Sequence, residues 1–452
     1  MPPSPDAAWS PALGEAVRSV DAAGALRSGL AAADAGVPPL EIVRAAALAY
    51  AGSVDVSPEF PPHGMLALSA AARLTRHLPP RLQALPVLQA LTLAAADAKL
   101  PYDPLRKRTK VAGEISHLTR SFEVAVRAGA FDDAVAIFSG LLREGRERVM
   151  AGDVLFRVAA EDMALGGHKM ITAVQGWRLA SALGWRSGDV LMGPVVARVA
   201  TGVREPAPYR AILSAWGREK LDIAAVGGNE GPADGGERDA IRSALRASSL
   251  EDAARGVVRA LKRGVGLDGI ASVAVEEAAA RLAAAKEYDF PAIHGLIFAG
   301  LARWVLRFSR TETRVLPLLQ ACLALQGLPH GTAAPALLPA KGVADLVRDA
   351  ARAMEAGDAA KAGDCVHTYL SRGFPPAVLI ELLVRQACRD GPAANAGHNL
   401  ILADAAVEEA TPHTPPATGP LVALARMLAL SPRERSAWET LGKRFPLGST
   451  SS

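Results

Sequence analysis

Apolar residues recur along most of the chain at the three- to four-residue spacing of one helix face. Leu66, Ala70 and Leu74 form one such series, and Leu85–Leu91 holds another. Alanine and leucine dominate nearly every segment, whereas Gly and Pro fall at the ends of the periodic segments. The pattern therefore predicts an all-α protein with helices of about 10–18 residues.

The Gly-rich segment 226–237 (VGGNEGPADGGE) lacks this periodicity. Its composition is typical of a flexible linker, and it divides the chain almost in half. We therefore predict a first helical half at 12–225 and a second at 238–445.

The two predicted halves resemble each other. The stretch that begins at His63 aligns without a gap with the stretch at His294, a shift of 231 positions. The identical pairs include Gly64/Gly295, Arg76/Arg307, Pro86/Pro317 and Gln89/Gln320. A second match joins GHKMI at Gly167–Ile171 to GHNLI at Gly397–Ile401, shifted by 230. These matches predict a tandem duplication of a helical unit of about 230 residues with pseudo-two-fold symmetry, each half made of two four-helix subunits. An open α-solenoid is the alternative architecture.

Four of the nine histidines occupy repeat-equivalent positions, namely His63, His168, His294 and His398. Each follows a break rich in Gly or Pro and opens an apolar predicted helix. The partial positive charge at a helix N-terminus disfavours the imidazolium form. Neutral imidazole is the form that binds a metal or accepts a proton, so these four residues are candidate metal ligands and catalytic groups.

Acidic residues precede these histidines, and they include Glu59, Asp162, Asp289 and Asp390. A carboxylate near a histidine either binds the metal itself or orients the ring through a hydrogen bond. If pseudo-symmetry brings the four helix starts together, the histidines and the three aspartates would form a site for Fe, Mn, Zn or Cu. Two alternatives stay open: the histidines act as structural caps that hydrogen-bond the preceding loops, or they form two separate sites, one in each half.

Composition and motifs exclude several classes of protein. The 452 residues carry 50 Lys and Arg against 46 Asp and Glu, a net charge of +4 that gives little reason to expect nucleic-acid binding. Three cysteines do not make a disulfide scaffold, and no apolar run reaches the roughly 18 residues of a membrane span. The first twenty residues lack the apolar core of a signal peptide, so we expect a cytoplasmic protein. The chain also lacks the P-loop, G-x-G-x-x-G and G-x-S-x-G motifs of nucleotide-binding folds and α/β hydrolases.

Two stretches resemble known helical families. Gly167–Trp185 (GHKMITAVQGWRLASALGW) resembles a helical module that accompanies Rieske ferredoxin domains in some bacterial proteins, and Ile293–Phe308 (IHGLIFAGLARWVLRF) is similar to the His-Gly helices of the questin-oxidase-like family. The resemblance implies a helical redox protein that uses histidines. It implicates His168 and His294 and, by internal equivalence, His63 and His398. The chain has no Rieske partner domain, so electrons would come from an external donor.

The sequence therefore favours an oxidoreductase that uses the four histidines, with or without a metal, on a small or medium apolar organic substrate in a cavity between the halves. The alternative is a non-catalytic helical-repeat scaffold that binds a protein partner. Histidines around one closed cavity would favour the enzyme. Histidines scattered on an exposed concave apolar surface would favour the scaffold.

Overall fold

The computed structural model describes residues 9–56, 61–98, 110–143, 145–309, 311–331, 334–339, 341–411 and 417–445. In this part of the chain there are 24 α-helices and no strands, and 74% of the residues are helical. The all-α class predicted from the spacing of apolar residues is therefore confirmed. Within the same residues, none of the helices is both long enough and apolar enough to span a membrane.

The helices before the Gly-rich segment 226–237, or ending at its start, are α1 (Trp9–Arg18), α2 (Ala22–Asp34), α3 (Pro39–Ala51), α4 (Gly64–Leu74), α5 (Ala84–Asp97), α6 (Ile115–Ala128), α7 (Phe131–Leu141), α8 (Arg146–Ala159), α9 (Ala164–Ala182), α10 (Gly188–Ala200), α11 (Ala207–Glu219) and α12 (Ile223–Gly227).

The remaining helices are α13 (Gly235–Leu245), α14 (Leu250–Lys262), α15 (Leu267–Ala284), α16 (Phe290–Phe308), α17 (Val315–Leu323), α18 (Val343–Ala356), α19 (Ala359–Ser371), α20 (Pro376–Ala387), α21 (Pro392–Asn395), α22 (His398–Ala410), α23 (Thr418–Leu430) and α24 (Ser436–Arg444).

Helices α4, α9, α16 and α22 form the centre of the molecule. They pack in a ring in which α4 contacts α9, α9 contacts α16, α16 contacts α22 and α22 contacts α4. Almost every residue of α4, α9 and α22 is buried, which is the pattern of a helix surrounded by protein on all sides. Amphipathic helices such as α6, α14 and α18 cover this centre and bury one face each.

The four central helices run parallel. Each carries one of the repeat-equivalent histidines at or near its start. The four side chains that lie ten positions after these histidines also come together. There, Arg73 of α4 and Arg178 of α9 both bind Glu408 of α22, and the Arg178 guanidinium lies 5.7 Å from the ring centre of Trp304 in α16. Ten residues of α-helix span about 15 Å. The bundle thus has a histidine layer at one end and a charged layer about 15 Å away.

A buried polar network links the central helices between these layers. The Ser69 hydroxyl donates to the Gln175 carbonyl and lies 2.9 Å from it, and the Gln175 amide nitrogen lies 3.5 Å from Asp404. Asp404 in turn accepts from Arg73 at 2.8 Å. Buried ion pairs of this kind are costly to break because the remaining charge has no solvent.

The segment 226–237, which the composition describes as a flexible linker, makes defined contacts. It includes the end of α12 and the start of α13. Asp234 caps α13 in a capping box with Glu237, in which each side chain accepts from the other residue's backbone N–H at 2.8 Å. Arg314 donates to the Gly227 carbonyl at 2.8 Å and binds Glu230 at 2.7 Å. The connection is therefore packed against the second half.

The charged layer gives a stability prediction. Glu408→Ala leaves Arg178, which is 2% exposed, without its nearest carboxylate, so we expect a loss of about 3–5 kcal/mol in unfolding free energy. Asp345→Ala removes a matched but solvent-exposed partner from Arg348 and should cost less than about 1 kcal/mol. Urea unfolding followed by far-UV circular dichroism measures both losses. Equal, small losses would mean that the buried pair adds nothing to stability.

Candidate metal centre

The four repeat-equivalent histidines meet at the N-terminal end of the central helix ring. The Nε2 atoms of His63 and His168 lie 3.1 Å apart, and those of His294 and His398 lie 2.7 Å apart. One ring nitrogen from each of the four lies within 4.8 Å of the others. The structure therefore brings together all four histidines that the sequence comparison singled out.

The imidazole rings form a closed cycle. The distances between ring centres are 5.0 Å for His63–His168, 4.4 Å for His168–His294, 4.7 Å for His294–His398 and 4.7 Å for His398–His63. This is the same cyclic order as the contacts among the four helices. The rings consequently enclose one common centre rather than two separate sites.

The nitrogen spacing fits a single metal ion. Metal–imidazole bonds are about 2.0–2.1 Å long, so two neighbouring ligand nitrogens are about 2.8–3.4 Å apart and two opposite ones about 4.0–4.2 Å apart. The observed 2.7 Å, 3.1 Å and the upper limit of 4.8 Å are close to these values. Side-chain shifts of a few tenths of an ångström would bring all four nitrogens to bonding distance.

Left-handed turns aim His168 and His398 at this centre. The turn Leu165–Gly167 has φ angles of 55°, 72° and 84°, and Ala396–Gly397 has 50° and 75°. Glycine adopts these angles without the steric cost that other residues pay, which explains the Gly-His order in both motifs. Each turn directs a backbone carbonyl back to the ring: Leu165 accepts from His168 Nδ1, and Asn395 accepts from His398 Nδ1 at 2.8 Å.

His63 is held by a different arrangement. Its backbone N–H and that of Gly64 donate to the Asp97 carboxylate at 2.5 and 2.8 Å, and the Tyr50 hydroxyl donates to the same oxygen at 3.0 Å. The Pro61 carbonyl accepts a hydrogen bond from the His63 ring. A Cβ on Gly64 would lie 2.5 Å from the Tyr50 ring, so the His-Gly order here allows close packing.

His294 differs from the other three. It lies inside α16, one turn after the helix start, and its ring is half-buried, whereas His63, His168 and His398 are only 1–3% exposed. Among the described residues, its Nδ1 has no hydrogen-bond partner. A Cβ on Gly166 would lie 3.1 Å from this Nδ1.

The hydrogen bonds to backbone carbonyls decide which ring nitrogen faces the centre. A carbonyl accepts only from a protonated Nδ1, and a neutral ring that is protonated there has a bare Nε2. The carbonyls of Leu165 and Asn395 impose this state on His168 and His398. The Nε2 atoms, which lie on the side of the common centre, are the nitrogens that could bind a metal.

Burial keeps the four rings uncharged at neutral pH. Desolvation is the largest cause in each case, and it lowers the pKa of His168 to about 3 and that of His398 to about 4. The pKa values of His63 and His294 also lie well below the usual 6.5, with the neighbouring imidazoles as a second cause. All four are thus in the form that binds a metal.

Asp162, predicted as a metal ligand, is occupied elsewhere. One carboxylate oxygen accepts from Lys169 Nζ at 2.7 Å, and the other accepts from the backbone N–H groups of Ala164 and Glu205 at 2.9 and 3.0 Å. These contacts use both oxygens. Asp162 therefore fixes the turn that precedes His168 rather than joining the four rings.

The other acidic candidates also lie outside the imidazole group. Asp289 caps α16 by accepting from a backbone N–H at 3.0 Å. Asp390 pairs with Arg389 at 3.1 Å and lies 3.5 Å from Arg433. Glu59 lies outside the described residues. Proximity in sequence does not place these carboxylates at the centre, because caps and ion pairs direct them away from it.

The sequence comparison missed the residues that hold His63. Asp97 and Tyr50 lie 34 and 47 positions from their partners in the chain. The positions equivalent to them in the second half, at a shift of 231, are Leu328 and Arg281. A search for residues retained in both halves therefore could not find Asp97 and Tyr50. Their one local signal is that each lies at the end of a helix, Tyr50 in α3 and Asp97 in α5.

Comparison of the chain with protein-family models, with curated proteins and with solved structures finds no match. The chemistry of the centre is therefore argued from its geometry.

The low pKa values predict that the metal-free protein loses stability as the pH falls from about 6.5 to about 4. In this window the unfolded histidines take up protons and the folded ones do not, so each buried histidine removes about 1.4 kcal/mol per pH unit. Above pH 6.5 the neutral histidines contribute their full share to the unfolding free energy. The loss of unfolding free energy ends near the pKa of the folded state, which is about 4 for His398. Urea unfolding in the presence of a chelator, repeated across this pH range, measures the slope.

Two variants test the source of this slope. His398→Gln should reduce it by about one proton, because one buried titrating group is gone. His117→Gln changes an exposed histidine and should leave the slope unchanged. An unchanged slope in His398→Gln would contradict the assignment.

The contacts of Asp162 predict that it positions His168 without binding metal. Asp162→Asn keeps an acceptor for the backbone N–H groups but leaves buried Lys169 without its counter-charge, so metal affinity should fall about 10–100-fold. Adding Lys169→Met removes the unpaired charge and should restore most of the affinity. Competition with a fluorescent chelator measures both. A double variant that binds metal no better than Asp162→Asn would instead support a direct ligand role.

Proposed function

We propose that His63, His168, His294 and His398 bind one transition-metal ion, and that the protein is an oxidoreductase that acts on a small or medium apolar organic molecule. The observation that carries the proposal is the closed cycle of four neutral imidazoles with Nε2 pairs at 2.7 and 3.1 Å. Imidazole ligands suit Fe, Zn and Cu, whereas Mn prefers oxygen ligands. With the carboxylates engaged elsewhere, Fe, Zn and Cu are the better candidates.

On a six-coordinate ion such as Fe, a four-histidine set would leave two positions for water, an oxidant or a substrate, which is what a catalytic site requires. On a tetrahedral Zn ion the four rings would fill every position, which is the pattern of a structural site. Bound Fe or Cu would supply one-electron and oxygen chemistry. The chain's own residues hold the four rings in place: the Phe290 ring packs 5.0 Å from His398, and Phe298 lies against Gly167 in the turn before His168.

The redox part of the proposal draws on the resemblance of Gly167–Trp185 and Ile293–Phe308 to helices of redox families. Those stretches form the greater parts of α9 and α16 and carry two of the four rings. An external donor would supply electrons.

We also propose that the chain is a tandem duplication with pseudo-two-fold symmetry, each half consisting of two four-helix subunits. Two reciprocal hydrogen bonds support it. The Gln89 side chain donates to the Asp390 carbonyl at 3.0 Å, and the Gln320 side chain donates to the Ala160 carbonyl at 2.7 Å. Gln320 lies 231 positions after Gln89, and Ala160 lies 230 positions before Asp390, so the two bonds join equivalent positions of the proposed halves. Each bond crosses between the halves, as expected of a two-fold interface.

A second pair of contacts within the halves follows the same relation. Arg204 donates to the Val126 carbonyl at 2.7 Å, and Arg433 donates to the Met354 carbonyl at 2.8 Å. The positions differ by 229 and 228. Equivalent side chains therefore make equivalent bonds far from the histidines.

The scaffold alternative requires histidines that are separate and exposed. The four rings contact one another instead, and three of them are buried. None of the contacts in the described part of the chain favours the scaffold. The geometry accordingly supports an enzyme with a single shared centre better than a scaffold.

Metal analysis tests the proposal. Protein purified without chelator, or reconstituted with Fe(II), Zn(II) or Cu(II), should hold about one ion per chain by mass spectrometry. His168→Ala and His294→Ala should lose it, because each removes one of four ligands. The metal-free His294→Ala variant should melt within a few degrees of the metal-free wild type, since no protein group bonds its Nδ1. His330→Ala, an exposed histidine outside the centre, should retain the metal.

Spectroscopy separates a redox site from a structural one. The Cu(II)-loaded protein should show hyperfine coupling to imidazole nitrogens in its electron paramagnetic resonance spectrum, and the Fe- or Cu-loaded protein should cycle reversibly between two oxidation states. A wild type that binds no metal, together with a large drop in melting temperature for His294→Ala, would mean that the histidines are structural caps. Binding of Zn alone, without redox cycling, would reject the oxidoreductase.

A further inference from the structure

A pocket of about 290 Å³ lies beside the turn that precedes His168. Helices α6, α8, α9, α10 and α11 contribute to its walls, and Asp162 and Lys169 belong to its lining. Its volume is close to the lower end of the range in which proteins bind organic ligands, about 300–1,000 Å³. We name it the Lys169 pocket, and its size suits a small molecule.

The lining of the Lys169 pocket carries a surplus of positive charge. Its basic side chains are Arg127, Lys169, Arg204 and Arg210, and its carboxylates are Glu161 and Asp162. Glu161 binds Arg127 at 2.6 Å, and Asp162 binds Lys169 at 2.7 Å. Within the described residues, neither Arg204 nor Arg210 forms an ion pair. An anion in the pocket would therefore meet more positive than negative charge.

Lys169 brings unused hydrogen-bond donors to this pocket. The residue is 4% exposed, and its ammonium group has three N–H donors. One of them reaches Asp162, and the described part of the chain offers no acceptor for the other two. Buried donors without an acceptor are unfavourable, so an acceptor in the pocket would be bound favourably.

Arg204 and Tyr209 add further donors. Arg204 donates through Nη2 to the Val126 carbonyl at 2.7 Å, which leaves other N–H groups of its guanidinium for a ligand. Burial, and after it the charge of Glu161, raises the pKa of the half-buried Tyr209, so its hydroxyl stays protonated and can donate. The polar groups in excess are thus donors, as a carboxylate requires.

The rest of the lining is mostly apolar. It consists of Val126, Val158, Val199, Pro206 and Leu213. A strongly hydrated inorganic anion gains nothing from such walls, whereas the hydrocarbon part of an organic acid does. The lining therefore favours an anion with an apolar body.

The second half does not share this charge pattern. In the proposed duplication, at shifts of 228–230 positions, Arg127, Lys169 and Arg210 correspond to Glu355, Asn399 and Glu439, and only Arg204 is retained, as Arg433.

The Glu355 carboxylate is used within the protein, where it binds Arg389 and Arg435 at 2.6 Å each. The shared fold consequently does not require the positive surplus of the Lys169 pocket. A property found in one half alone is the one that a separate binding role explains.

We propose that the Lys169 pocket binds a small organic carboxylate. Its charged end accepts hydrogen bonds from Lys169 and Arg204, with Arg210 adding positive charge, and its apolar body contacts the valines. The site is additional to the metal centre and does not depend on it, so it can be tested in metal-free protein.

Matched probes test the ligand class. 2-Naphthoate carries a carboxylate, and 2-naphthamide has a similar shape without the charge. Isothermal titration calorimetry should show at least about tenfold tighter binding of the acid, and added salt should weaken the acid more than the amide. Equal affinities would overturn the proposal. Inorganic phosphate that binds as tightly as 2-naphthoate would overturn the role of the apolar walls.

Charge reversals on α11 test the location. Arg210→Glu introduces the residue of the second half into the lining and should weaken 2-naphthoate binding at least about fivefold. Arg218→Glu makes the same change at an exposed arginine of α11 outside the lining and should have little effect. Equal losses in the two variants would mean that net charge alone attracts the acid, which would overturn the site.

A double variant tests Lys169 without leaving a buried charge unpaired. Asp162→Asn with Lys169→Met removes both charges of the pair together with the ammonium donors, so 2-naphthoate should bind about tenfold more weakly. Circular dichroism verifies that the variant is folded, and Arg204→Gln at the same pocket replaces it if it is not. Unchanged affinity in a folded variant, or no binding of 2-naphthoate by the wild type, would overturn the proposal.

Discussion

Four uncharged imidazoles that face one another in a dry interior are the constraint on which the rest of the structure depends. Burial opposes their protonation, and their Nε2 atoms meet in pairs 2.7 and 3.1 Å apart. The proposed cation at the common centre would bind all four nitrogens without a charge on any ring. The left-handed turns, the carbonyl bonds to Nδ1 and the Asp97 anchor at His63 all hold the rings in this arrangement.

The parallel direction of α4, α9, α16 and α22 follows from bringing four helix starts together, and it has an electrostatic cost. The N-terminal partial positive charges of the helices converge near the histidines, and the negative ends converge at the other side. Arg73 and Arg178 lie toward those C-terminal ends, where cations are favoured, and Asp404 and Glu408 balance them. The charged layer about 15 Å away is thus the counterpart of the neutral histidine layer.

The sequence predicts those features that leave a local or repeated signal. Helical periodicity gives the all-α class, and the retention of four histidines in two similar halves identifies the group that the structure brings together. Side-chain direction leaves no such signal. Asp162 is six residues from His168, yet its carboxylate binds Lys169 and two backbone N–H groups. Asp97 accepts a hydrogen bond from the backbone N–H of His63, and it lies 34 positions away in sequence.

Composition also conceals local signals that are present. The segment 226–237 contains Asp234 three residues before Glu237, the spacing of a capping box, but its glycines make it read as a linker. The bonds from Arg314 to Gly227 and Glu230, in contrast, join residues 84–87 positions apart, a distance that no short window of sequence includes.

In the proposed duplication, distance from the pseudo-two-fold axis explains which residues diverged. A metal on the axis needs ligands from both halves, so loss of any histidine would damage the one shared site. Ten positions further along the helices, Arg73 corresponds to Trp304 and Arg178 to Glu408, which are unlike residues. Arg178 contacts both Glu408 and Trp304 across the halves.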